Sequence, residues 1–111
     1  EDKIAKARKQ LEGGHLAVAV IEVQKPSDKI PDIEQTYSVG AVCLALLNAA
    51  LAAGWGANWL TGWHVYNKSF LKNGLKLKDN ESIAGLIYLG TATITPPERP
   101  RPPLDEIVEW L

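Results

Sequence analysis

At 111 residues, with 12 basic and 13 acidic side chains, the chain is a single domain's worth of polypeptide and has no net field to attract nucleic acid or an anionic membrane surface. Its 46% hydrophobic and 23% charged content excludes a disordered tail and fits an ordinary folded protein. The one cysteine, Cys43, sits within AVCLALL. It cannot close an internal disulfide and reads as a small buried hydrophobe, which fits a reducing cytoplasm. The opening EDKIAKARKQ is charged throughout and does not read as a secretory signal. No methionine occurs anywhere, which suggests a piece of a longer polypeptide.

Residues 2–12 read as a charged helix with Ile4, Ala7 and Leu11 on one face, ended by Gly13-Gly14. Leu16 to Val23, LAVAVIEV, is β-branched and nearly continuous, the pattern of a buried strand. A polar loop over residues 24–31 leads to a long helix running to about Ala53, with Asp32 placed to cap it and Gly54 to stop it. Residues 55–60 read as short, extended or irregular. Val65 to Lys72 reads as a short helix ended at Asn73-Gly74, and Ile83 to Leu89 as a second apolar strand. The proline-rich TPPERPRPPL precedes a last short helix from about Asp105 to Trp110. Two separated strands among helices predict an α+β fold with a small central sheet.

Charge is distributed unevenly. Residues 1–36 hold thirteen charged side chains and residues 66–111 hold twelve, but the 29 residues from Tyr37 to Val65 hold none. Asn48, Gly54, Gly56, Asn58 and Thr61, with alanine outnumbering leucine and isoleucine, argue against a membrane span. The remaining reading is a helix apolar on every side, which needs burial all round, and a chain this small needs a partner subunit or further chain to provide it.

At the exit of that helix lies GWGANWLTGW, Gly54 to Trp63, with three tryptophans in ten residues. Three indoles carry roughly 450–750 Å² of surface, more than a soluble monomer ordinarily leaves in the open. They must enter a core, seal an interface or lie against a flat ligand. Elsewhere the constellations of catalysis are missing. His15 and His64 are isolated and read as surface or hydrogen-bonded histidines, no metal-ligating cluster is spaced along the chain, and no glycine loop has the spacing of a phosphate cradle. Ser38 and Ser69 have no base beside them in the sequence. An enzyme made from these residues would borrow its chemistry from a cofactor.

Four pieces in order then carry a resemblance: the LAVAVIEV strand, the helix and exit SVGAVCLALLNAALAAGWGANWLTG, the strand GLIYLG from Gly85 to Gly90, and ERPRPPLDEIV. Together, from about Leu16 to Val108, they resemble the C-terminal portion of the flavin-dependent nitroreductase family. The resemblance implies an α+β, nitroreductase-like fold with a small antiparallel or mixed sheet and the long apolar helix at a homodimer interface. It also implies an FMN enzyme in which NAD(P)H gives hydride to the flavin and leaves before a nitroaromatic or quinone-like acceptor takes the electrons; the balanced charge and the lone cysteine add the expectation of a cytoplasmic protein with no membrane or nucleic-acid partner. On this view residues 1–111 are the C-terminal portion of one such domain, and the flavin, not a side chain, is the catalytic group.

By the same resemblance, Trp59, Leu60, Thr61 and Gly62 match the family's loop at the reactive edge of the isoalloxazine, where main-chain amides face N5 and O4. Core packing for Trp59 and a simple turn for Gly62 stand as the alternatives. Arg99 and Arg101 match the basic pair near the FMN phosphate. Guanidinium groups bind phosphate bidentately, and the flanking prolines leave little entropy to lose; a solvated linker or a PxxP ligand for an SH3-like groove competes with that reading. Asn48 reads as a buried amide bonded between helices. The family's arginine/serine-rich phosphate motif is not found in this sequence, so the site would be completed from elsewhere. A dimerisation scaffold without flavin is the other class of function left open.

Overall fold

The strand Glu81–Gly90 (β3) is flanked on both sides in a three-stranded sheet of order β1-β3-β2, with β1 spanning Leu16–Val23 and β2 Gly56–Leu60. The computed structural model describes residues 2–111. Both pairings are antiparallel. Leu16 lies opposite Leu89 and Val23 opposite Glu81, while Gly56 lies opposite Gly90 and Leu60 opposite Leu86. Ala84 is the extra residue of a bulge, because Val20 pairs with Gly85 and Ile21 with Ile83. The sheet is thus wholly antiparallel, and the segment expected to be short and extended supplies β2, one of its two edge strands. An aliphatic run such as ESIAGLIYLG suits the central position. Ile83, Leu86 and Ile87 are buried, and Ile87 is fully enclosed at 0% exposure, a burial that stabilises by about 1.5–3 kcal/mol.

Helix α1, Lys3–Glu12, begins as expected, with the Asp2 carboxylate accepting from the Ile4 amide at 3.1 Å. Of its apolar face only Ala7 is buried, and Ile4 and Leu11 stay exposed. Helix α2, Asp32–Ala52, crosses the sheet. Here the capping expectation is corrected: Pro31 holds the N-cap position, and Asp32 is the first helical residue, where its charge with that of Glu34 favours the positive end of the helix dipole. The stop is as read. Gly54 has φ +87°, its amide donates to the Leu51 carbonyl and the Trp55 amide to the Ala50 carbonyl, both at 3.0 Å. This is the paired-bond termination that a left-handed glycine allows.

By length and composition α2 could cross a membrane, but its contact face lies on the sheet. Cys43 is enclosed there at 0% exposure, and desolvation pushes its thiol up. Its other side is open: Tyr37, Val42, Leu44, Asn48 and Leu51 are exposed. Asn48 is therefore not buried between helices within this chain. Strand β1 is likewise half-buried, not enclosed, because α2 covers one face of the sheet and the other is only partly covered.

The predicted helix over 65–72 does not form as one unit. A 3-10 turn over Trp63–Tyr66 is separated from a π turn over Phe70–Gly74, because Asn67 is extended and its side chain accepts from the Phe70 amide at 2.9 Å. These turns supply Val65 to a small core with Ile83 and Leu86, against which Ala19, Ile21, Leu71, Leu77 and Tyr88 pack. The final helix α3, Leu104–Ile107, is one turn and not the longer run to 110; Val108 is already extended. Every residue from 91 to 111 is exposed.

One polar knot ties α2 to the sheet. The Glu22 carboxylate accepts from Thr36 on α2, from Gln24 and from Ser82 on β3, and the Gln24 amide also donates to the Asp32 carbonyl at 3.2 Å. The Thr36 hydroxyl is the largest cause holding the Glu22 carboxyl below its ordinary value of 4.5; partial burial opposes it, and Gln24 and Ser82 add to it. A depressed carboxylate pKa contributes stability that is present above the unfolded value and is lost as pH falls below it. In the intact protein, Glu22→Gln should cost about 1 kcal/mol at pH 7 by denaturant titration. The gap from wild type should close as pH falls below about 4.5; a gap independent of pH would contradict the assignment.

Candidate functional site

Alternation along β2 divides the tryptophan–glycine segment between two grooves. Asn58 and Leu60 face one of about 620 Å³, shared with Gln10, Trp55, Tyr88 and the chain leaving β3 at Thr91. Trp59 faces the other, about 520 Å³, with Tyr37, Gly40, Tyr66 and Ala84 on its walls. Neither Trp55 nor Trp63 enters the core, and Trp59 is 37% exposed. The indole of Trp59 lies across β3 and its Nε1 donates to the Ala84 carbonyl at 3.3 Å. The seat exists because residue 85 is glycine, since a Cβ there would overlap the indole nitrogen. The aromatic segment is thus fixed by a glycine that is distant in sequence.

Beyond Leu60 the chain stays extended through Gly62, with φ 177°. Two of its main-chain groups are held. The Thr61 carbonyl accepts from the Gln10 side chain at 2.9 Å, and the Gly62 carbonyl accepts from the Val65 amide at 3.2 Å. The amides of Thr61 and Gly62 donate to no acceptor among the described residues. On one side Gly62 lies against the imidazole of His64: a Cβ at residue 62 would come within 2.9 Å of Cε1 and 3.1 Å of Nδ1. Contrary to the sequence expectation, His64 is neither at the surface nor hydrogen-bonded. It is fully buried, with neither ring nitrogen partnered by protein, and lies edge-on to Trp63 and Phe70. His15 is exposed, as read.

The second set of predicted residues lies apart from the first. Arg99 and Arg101 are on the exposed run after β3, with Arg101 near Glu98 at 3.7 Å, an exposed pair worth little on its own. Among the described residues no group of histidine, cysteine and carboxylate side chains could hold a metal ion. Gln10, His64 and Gly85 were not singled out as site residues from the sequence. Only Gly85 left a signal there, a glycine interrupting an otherwise aliphatic strand.

No protein-family model matches the chain. Over 92 residues it is 30% identical to the protein named "Putative NAD(P)H nitroreductase YdjA" in Escherichia coli K12, and equally to the protein of that name in strain O157:H7. The aligned region is 82% of this chain and 50% of those proteins, so the chain spans about half the length of the curated relatives it matches. In three dimensions it superposes, over its whole length, on 62% of the crystal structure of a nitroreductase-like family protein from Bacillus cereus, with TM-score 0.78 at 20% identity. In sequence and in fold the chain is similar to part of a nitroreductase-family domain. A nitroreductase family protein from Streptococcus pneumoniae TIGR4 gives TM-score 0.61 at 22% identity, over 97% of this chain and 46% of that one. The nitroreductase-like α+β fold expected from the four ordered motifs is therefore the fold observed.

Because the Trp59 seat depends on a missing Cβ, Gly85→Ala in the intact protein should lose about 1–3 kcal/mol by denaturant titration. Combining it with Trp59→Ala should cost less than the sum of the single changes, because the two sites share one contact. Additive costs would show that the indole does not determine the glycine.

Proposed function

We propose that the intact protein is an FMN-dependent NAD(P)H oxidoreductase of the nitroreductase type, reducing nitroaromatic or quinone-like acceptors, and that this chain supplies the wall at the reactive edge of its flavin. The observation that carries the reading is the Thr61–Gly62 peptide. It stands at the end of an edge strand, its carbonyls are held by Gln10 and Val65, and its amides are left without acceptors. The Gly62 amide is half-buried, and such amides are paired in nearly all native proteins, so a donor left free there fits a ligand acceptor. The name of the Escherichia coli relatives, an NAD(P)H nitroreductase, agrees with it.

The residues present fit such a cofactor at this edge. Trp59, Leu60, Thr61 and Gly62 would flank the ring, with the main-chain donors toward N5 and O4, and the lack of a Cβ at residue 62 keeps backbone within reach. Arg99 and Arg101 would hold the phosphate. Both are exposed, and the loose Glu98 contact leaves the guanidinium groups free to turn toward an anion. When bound, FMN supplies the hydride chemistry that no side chain here can. This chain's part is to orient the ring, exclude water and offer preorganised donors where negative charge develops.

A second copy of the chain is the proposed cover for the outer side of α2, where Tyr37, Val42, Leu44 and Leu51 form an uncharged exposed strip. A homodimer would bury that strip and bring Asn48 into the interface. A cytoplasmic location suits the single reduced cysteine.

The double change Arg99→Ala/Arg101→Ala in the intact protein should weaken FMN retention by about tenfold or more, since charge-assisted contacts are each worth about 1.5–3 kcal/mol. Fluorescence titration with FMN measures it. Unchanged affinity in the double variant would remove the phosphate assignment, and an intact wild-type protein that neither carries nor takes up FMN would favour a flavin-free dimerisation scaffold.

A further inference from the structure

Resting on the flavin reading above, we propose that Gln10 is a positioning residue for the cofactor, setting the direction of the Gly62 amide by holding the carbonyl of Thr61. Among the described residues the Gln10–Thr61 hydrogen bond, 2.9 Å long, is the one polar tie between α1 and the rest of the fold, and it joins residues 51 apart in sequence. A tie from so exposed a helix to one loop carbonyl contributes little to holding α1, whose contact face buries only Ala7. Its effect falls on the peptide it grips.

A peptide group is planar, and no cis bond occurs here, so its C=O and N–H point in opposite directions. Fixing the Thr61 carbonyl toward α1 therefore turns the Gly62 N–H away from α1. Two further contacts restrain Gly62 on its other side. The Gly62 carbonyl is taken by the Val65 amide at 3.2 Å, and the buried His64 ring occupies the space beside Gly62, itself held between Trp63 and Phe70 with centroids 6.0 and 5.6 Å away. His64 acts by volume in this arrangement, because its nitrogens bond to no protein group. The outcome is a main-chain donor fixed in direction before any ligand arrives. A donor that need not reorganise stabilises charge more effectively than one that must turn. Directed at O4, onto which the charge of the reduced, anionic ring delocalises, such a donor would favour the reduced flavin over the oxidised form.

Only the donor on residue 10 matters for this role, which separates it from packing. In the intact protein Gln10→Glu keeps the shape but sets an oxygen against the Thr61 carbonyl, whereas Gln10→Lys keeps a donor. Spectroelectrochemical titration of bound FMN should show the two-electron midpoint potential of the Gln10→Glu protein lowered by about 30 mV, equivalent to a tenfold loss in affinity for reduced relative to oxidised flavin. Gln10→Lys should stay near wild type, and the melting temperatures of all three should agree. An unchanged potential in Gln10→Glu, or the same fall in Gln10→Lys, overturns the positioning role while leaving the flavin reading intact. An intact wild-type protein that binds no FMN overturns both.

Discussion

The contact on which the rest of this structure depends is the meeting of β2 with β3 through Trp59 and Gly85. Strand β3 is the only described strand with a neighbour on each side, and it carries the most deeply buried aliphatic residue, Ile87, opposite Trp59. Because residue 85 has no side chain, the indole lies flat across β3 and bonds to the Ala84 carbonyl. That anchors the far end of a five-residue edge strand, from which the Thr61–Gly62 peptide projects. Without the anchor, so short a strand would fray at the end where its position matters most.

Burial within this chain is incomplete, and the incompleteness has a pattern. Core side chains cluster where α2 crosses the sheet and where the turns after Trp63 fold back on Leu86. The outer side of α2 and the Ile4 and Leu11 face of α1 are apolar and exposed, as are the side chains of Ile94, Leu104, Ile107 and Trp110 on the C-terminal run, Trp110 at 91%. Exposed apolar faces of this kind mark contact surfaces. They agree with a fold of which the chain forms about half the length in its relatives, and with cover from further polypeptide and a second copy.

The parts of the fold legible in the sequence were those written in local pattern. The β-branched run marked β1, the charge-free alanine-rich run marked α2, and Gly54 marked its end because the left-handed turn there suits glycine. The misread places were decided by contacts that no local pattern records. Pro31 displaced Asp32 from the cap, since a proline can enter the helix start with no amide to satisfy. Asn67 broke the expected 65–72 helix by bonding to the Phe70 amide. For the candidate site, the ordered pieces of the resemblance pointed to the Thr61–Gly62 peptide but not to what holds it. Gln10 is an ordinary polar residue on a charged helix, and only the fold brings it to Thr61. His64 looked like any isolated histidine until the turn enclosed it.

The central claim is that the free amide of Gly62 receives the reactive edge of FMN. Hydrogen–deuterium exchange of the intact protein, with residue-level resolution over 59–62 and with FMN absent or saturating, tests it most directly. The account predicts strong slowing at the Gly62 amide when FMN is bound. FMN bound at saturation with the exchange of that amide unchanged would contradict it.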